Sequence, residues 1–150
     1  MFGDFPFVLS DYYDQALLDE LKDRGVFDQE TKTGKQLSIK PVAVTRNRDG
    51  RIIWLEEEDF FHILDRHPDR FKIFGTEYNS EDPEAIGNLI FYAITKYPIV
   101  KTEPGRSPGA TMYVYKVRRP GGEGYLWILV DPDGHIVTAY TTRSLSSSQY

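Results

Sequence analysis

Two stretches of the chain carry side chains whose types and spacing suit proton transfer. In EEEDFFHILDRHPDRF, residues 56–71, His62 and His67 stand five positions apart with Arg66 between them. On a helix, at about 100° per residue, that spacing turns the two imidazoles about 140° away from each other. His67 falls in line with Phe60 and Leu64, where a histidine is packed and hydrogen-bonded locally. Glu58, His62 and Arg66 instead follow at i, i+4 and i+8. They form a polar row in which a carboxylate can orient an imidazole and a guanidinium can hold a phosphate. A solvated charged face shows the same row, and periodicity alone favours that plainer reading.

The second stretch is GHIVTAYTTR, residues 134–143. Strand alternation puts Ile136, Thr138, Tyr140 and Thr142 on one face and His135, Val137, Ala139, Thr141 and Arg143 on the other. Two hydroxyls, those of Thr138 and Tyr140, then align, although alternating Thr and Tyr are also ordinary strand formers. In MYVYKVRR the same rule gives Lys116 and Arg118 a common face, so cations would flank those hydroxyls if the two faces match. A solvated edge carries such pairs as well. Other chemistries have little support. The histidine spacing is i, i+5 where a helical zinc pair needs i, i+4, and there is no cysteine. Neither a G-x-S-x-G elbow nor a P-loop is present. The expectation is therefore acid/base chemistry by histidine, with no metal and no cofactor.

These groups must be positioned by a fold that 150 residues can build as one domain. Forty per cent apolar residues, with ten Tyr and nine Phe, supply core material that disordered chains lack. The first residues lack the basic leader and apolar run of a signal peptide. No apolar stretch approaches the roughly 20 residues of a membrane span, so a cytoplasmic protein with no membrane partner is expected. The formal charge of −5 argues against a polyanionic partner. Its distribution is uneven, however: from Ala93 onward seven basic residues face four acidic ones, which leaves room for a local anion site.

Residues 11–24 carry Tyr13, Leu17, Leu18 and Leu21 on one helical face, with Gly25 as a stop. KPVAVTRNRDGRIIWLE reads as two short strands around the turn RNRDG. The histidine stretch is a short amphipathic helix ended by Pro68. A third helix follows in SEDPEAIGNLIFYAITKY, with Ser80 as its cap and Pro83 early. The turns PGGEG and DPDG then divide the rest into a three-strand meander. Helices first and antiparallel strands last make the class α+β, N-terminal helices packed on a small antiparallel sheet.

Taken in order, HILDRHPDRF, DPEAIGNLIFYAI, MYVYKV and GYLWILVDPDGHIVTAY resemble the Barnase–EndoU–colicin D–RelE-like nuclease superfamily, in particular its phage-associated and polymorphic-toxin branches. The resemblance covers about residues 51–143. It leaves residues 1–50 as an N-terminal extension, holding a helix and the first strand. It implies a metal-independent endoribonuclease in which a ribose 2′-hydroxyl attacks the neighbouring phosphate. It names His62 as principal base or acid, Arg66 as phosphate clamp and Thr138 as transition-state donor. His67 and Tyr140 are further catalytic candidates, and Lys116 and Arg118 are substrate-binding ones. His135 occupies a variable position of the terminal motif and is left out. The implied partners are an RNA, a tRNA among the fitting targets, and a cognate immunity or antitoxin protein. The implied setting is cytoplasmic action after delivery within a larger toxin or phage protein. The rival from another class is a non-catalytic binding protein of the same fold, immunity-like, antitoxin-like or a phage accessory, favoured by the acidic run from Glu56 to Asp59.

Overall fold

The computed structural model describes residues 8–26, 40–66 and 69–145. Helix α1, Gln15–Asp23, begins at Asp14, whose side chain accepts hydrogen bonds from the backbone N–H groups of Ala16 and Leu17 at 3.0 and 3.3 Å. Two of the donors that a helix start leaves open are thereby satisfied. Leu17, Leu18 and Leu21 form the buried stripe, and Gly25, at φ 75°, ends the helix as expected. The stripe packs on Val44, Ile52 and Trp54 of an antiparallel hairpin, β1 (Pro41–Arg46) and β2 (Ile52–Glu56). The turn between them is held by the buried Asn47, whose side chain accepts from the N–H groups of Asp49 and Arg51.

Helix α2, Glu57–Arg66, follows β2 directly, and α3 spans Pro83–Lys96. The cap of α3 is Asp82, which accepts from the N–H of Ala85 at 3.2 Å, and not Ser80. Pro83 explains the difference: its fixed φ and missing N–H suit the first helical position, so the cap falls on the residue just before it.

A four-stranded antiparallel sheet then forms in the order β3 (Ile99–Pro104), β4 (Thr111–Arg119), β5 (Gly122–Val130), β6 (Ile136–Thr142). The last three are the expected meander. Strand β3 is an addition: IVKTEP alternates half-buried and exposed positions and interposes Lys101 and Glu103, the mark of a charged edge strand rather than an apolar run. The α+β class holds. Phe60, Ile63 and Leu64 of α2 and Ile86, Ile90 and Phe91 of α3 cover one face of the sheet, against Tyr115, Val117, Ile128, Ile136 and Ala139. Leu9 and Val42 belong to this same core, so described residues before position 51 pack with those after it. Val114, Trp127 and Tyr140 lie in a separate cluster on the opposite face.

The hairpin is fastened to the sheet at the β5–β6 turn. The backbone N–H of Trp54 donates to the carbonyl of Gly134 at 2.9 Å, and Trp54 forms a parallel bridge with His135. Gly134, at φ 89°, has no room for a side chain, because a Cβ there would lie 2.1 Å from the carbonyl oxygen of Ile52. Gly50, at φ 87°, faces open space. Gly50→Ala should therefore cost about 1 kcal/mol, from the backbone conformation alone. Gly134→Ala should cost about 2 kcal/mol by chemical denaturation, since the hairpin must also shift. Equal losses would mean that this close approach contributes nothing.

Candidate functional site

Helix α2 starts with Glu57, Glu58 and Asp59 and ends with Arg66, charges placed to complement the helix dipole at both ends. Burial of Phe60, Ile63 and Leu64 turns the opposite side to solvent, and Glu58, His62 and Arg66 are all exposed there, one turn apart. None of the three makes a hydrogen bond or ion pair with another described residue. His67 lies outside the described residues.

The sheet half of the expected site is arranged differently from simple alternation. Val130 pairs with Ile136 and Leu129 with Thr138, so β6 carries a bulge at Val137, which is left 38% exposed. A bulge adds one residue and reverses the facing of everything beyond it. Ile136 consequently points with Ala139 into the core under the helices. Thr138, Tyr140 and Thr142 pair with Leu129, Trp127 and Tyr125 and take the opposite face. Ile136 thus leaves the face that alternation assigns it. Lys116 and Arg118 alternate with Met112 and Val114 on that same opposite face, so the cations and the hydroxyls do share a side. Arg118 is exposed and paired with Glu123 at 3.0 Å. Thr138 and Tyr140 are buried, 5% and 2% exposed, and the Tyr140 ring stacks on Trp127 at 5.8 Å. Beside them, Trp127 Nε1 donates to Thr142 Oγ1 at 2.7 Å. The two halves of the expected site therefore lie on different sides of the sheet: His62 and Arg66 on a helix covering one face, Thr138, Tyr140, Lys116 and Arg118 on the other.

A second group of titratable side chains centres on His135, the histidine that motif reading sets aside. His135 stacks on Trp54, ring centroids 4.5 Å apart, between carboxylates from two elements. Its Nε2 donates to Asp59 Oδ2 at 2.5 Å, and its Nδ1 faces Asp131 Oδ2 at 3.4 Å. Burial opposes the charged form of this ring. The hydrogen bonds to Asp131 and Asp59, with their negative charges, outweigh it and raise the imidazole to about 9. Burial likewise pushes up Asp131, but its hydrogen bonds from the His135 side chain and backbone prevail and hold its carboxyl below the usual range. Glu56 is raised by burial first and by the neighbouring Asp59 second. At neutral pH His135 is thus an imidazolium with both N–H groups engaged. Such a ring holds charge in place and has no free nitrogen for shuttling a proton. Arg51 adds to the same junction, donating through Nη2 to the Asp131 carbonyl at 2.6 Å.

Glu56, Asp59 and His135 are also the set, among the described residues, that could hold a metal ion. Part of this arrangement is written locally: Asp131 Oδ1 accepts from the backbone N–H groups of Asp133 and His135, an Asx turn that the run DPDGH announces. The link from Asp59 to His135 spans 76 positions and has no local signal. No protein-family model matches this chain, and no curated protein matches its sequence significantly.

Proposed function

We propose that this chain is a metal-independent endoribonuclease, a toxin or phage-associated effector that cleaves RNA by attack of the ribose 2′-hydroxyl on the adjacent phosphate. The observation that carries the reading is the exposed row Glu58, His62, Arg66, whose imidazole and guanidinium are engaged by no other described side chain. The resemblance of HILDRHPDRF and GHIVTAY to that nuclease superfamily supports it, as does the order of helices followed by an antiparallel meander.

The reaction needs a base for the 2′-proton, an acid for the leaving 5′-oxygen and fixed donors for the charged phosphorane. His62 is the nominated proton-transfer group, an imidazole exposed on α2 where it can reach a bound ribose. Arg66 presents a planar fork of donors to the phosphate. In-line displacement places base and acid on opposite sides of phosphorus, so a second proton-transfer group is required, and His67 is the nominated one. Thr138 and Tyr140 stay outside this reading because their hydroxyls are buried on the other side of the sheet. Thr138→Val keeps the β-branched shape and is expected to leave the cleavage rate within about 2-fold of the parent, against a loss of about 10²-fold for a transition-state donor.

The second reading, a non-catalytic binding protein, is favoured by one observation. Glu56 and Asp59 meet Asp131 around a single imidazole, beside the exposed Glu58, and such a concentration of carboxylates suits a basic protein partner better than RNA. Purified protein incubated with total RNA in EDTA separates the two. Fragments ending in 2′,3′-cyclic phosphate are expected. Intact RNA over hours would overturn the nuclease reading in favour of the binding one, and cleavage that needs an added divalent ion would overturn the metal-independent mechanism.

A further inference from the structure

We propose that Glu56, Asp59 and His135 form a binding site for a divalent transition-metal ion, with Zn²⁺ as the best-fitting occupant. The donors come from three places that the fold brings together: the last residue of β2, the first turn of α2 and the residue before β6. One nitrogen and two carboxylate oxygens lie within 4.8 Å of one another. An ion about 2.0–2.2 Å from each donor needs separations of about 3–3.5 Å, which small torsions of the Glu56 and Asp59 side chains supply.

Two features set this cluster apart from a chance gathering of acids. The first is the imidazole itself and the way it is held. Asp131 Oδ2 faces Nδ1 at 3.4 Å on the far side of the ring, which directs Nε2 toward Asp59 and Glu56. A carboxylate behind a histidine in this manner is how metal-ligating imidazoles are oriented. The second is rigidity: the Trp54 ring covers His135 at 4.5 Å, and the Trp54 indole N–H donates to the Asp133 carbonyl at 3.3 Å. The ring plane is therefore set before any ion arrives. His135 and Asp59 side chains are 21% and 22% exposed, enough for an ion to enter and to keep water on its remaining positions.

The ion replaces the proton on Nε2, which passes to solvent, and the Asp59–His135 hydrogen bond becomes a pair of metal bonds. Three protein ligands of mixed N and O type fit Zn²⁺, with Mn²⁺ weaker by the usual order of stabilities and Mg²⁺ weakest because it prefers all-oxygen octahedra. The bound ion would tie the β2–α2 junction to the β5–β6 turn. The site shares no residue with the proposed cleavage row, and its occupancy is read by calorimetry and melting without reference to RNA.

The test uses the full chain, stripped with EDTA, dialysed, and titrated with ZnCl₂, MnCl₂ or MgCl₂ by calorimetry and thermal melting. Zn²⁺ at about 100 times its dissociation constant is expected to raise Tm by about 5 °C, with a smaller rise for Mn²⁺ and none for Mg²⁺. Glu56→Gln preserves shape and the Asp59–His135 bond, and should weaken Zn²⁺ binding by about 10-fold or more relative to its own metal-free baseline. Asp65→Asn, which removes an exposed acid from α2 outside the cluster, should respond like the parent. No shift with Zn²⁺ in the parent overturns the site, as does an equal shift in Glu56→Gln or a response lost in Asp65→Asn.

Discussion

His62→Ala is expected to reduce RNA cleavage in EDTA by at least about 10²-fold while leaving the unfolding transition nearly where it was. The two halves of this expectation have separate physical grounds. Activity falls because the only imidazole exposed on α2 among the described residues is removed. Stability holds because His62 is exposed and has no described partner, and because alanine is the better helix former. Arg66→Lys is expected to retain less activity than charge alone would suggest, since an ammonium cannot offer a planar two-pronged contact to a phosphate. A His62→Ala protein that cleaves at the parent rate would refute the assignment of the row. One that loses activity together with a large drop in Tm would place His62 among the structural residues instead.

The opposite pattern is expected at His135. Its charged ring stands between Asp59 and Asp131, and its removal leaves those carboxylates and Glu56 without a counter-ion in a half-buried junction. Breaking a fully buried pair costs about 3–5 kcal/mol, and the partial exposure here discounts that to about 3 kcal/mol for His135→Leu. Cleavage by the folded fraction should persist. The pH dependence carries a further signature, measured in chelator so that protons alone occupy the ring. The folded value of about 9 lies above the ordinary 6.5, so the stabilisation is fully present below pH 6.5 and is lost as pH rises through about 9. The unfolding free energy of the parent should fall across that window by on the order of 2 kcal/mol, and that of His135→Leu should be flat there. The lowered carboxyl of Asp131 acts at the other end: its contribution is present above its ordinary value and is lost as pH falls through the folded one. A parent protein equally stable at pH 6 and pH 9.5 would show that the clamp carries no weight.

Much of the molecule is readable from local pattern. The stripe Phe60, Ile63, Leu64 follows helical period and is buried, so the exposure of Glu58, His62 and Arg66 could be stated from the sequence. RNRDG, PGGEG and DPDG mark their turns because glycine and Asx chemistry act over four or five residues. Strand β3 escaped such reading since an edge strand with Lys101 and Glu103 has no apolar run to display.

The side of the sheet that Thr138 faces is a different kind of property. It depends on one extra residue, Val137, accommodated against β5, and a bulge is a fact about pairing rather than about the strand's own letters. The His135 cluster depends on still more: the hairpin must dock on the β5–β6 turn, with Trp54 bonded to Gly134, before Asp59 can reach a ring 76 positions away. By itself the sequence determined the α+β class, the amphipathic face of α2 and the position of its histidine, because periodicity and turn chemistry are local. Only the tertiary structure decided that the hydroxyls of Thr138 and Tyr140 lie across the sheet from that histidine, and that the histidine before β6 is held between two carboxylates, Asp59 and Asp131. Those relations arise from strand register and from the docking of distant elements, which no window of neighbouring residues contains.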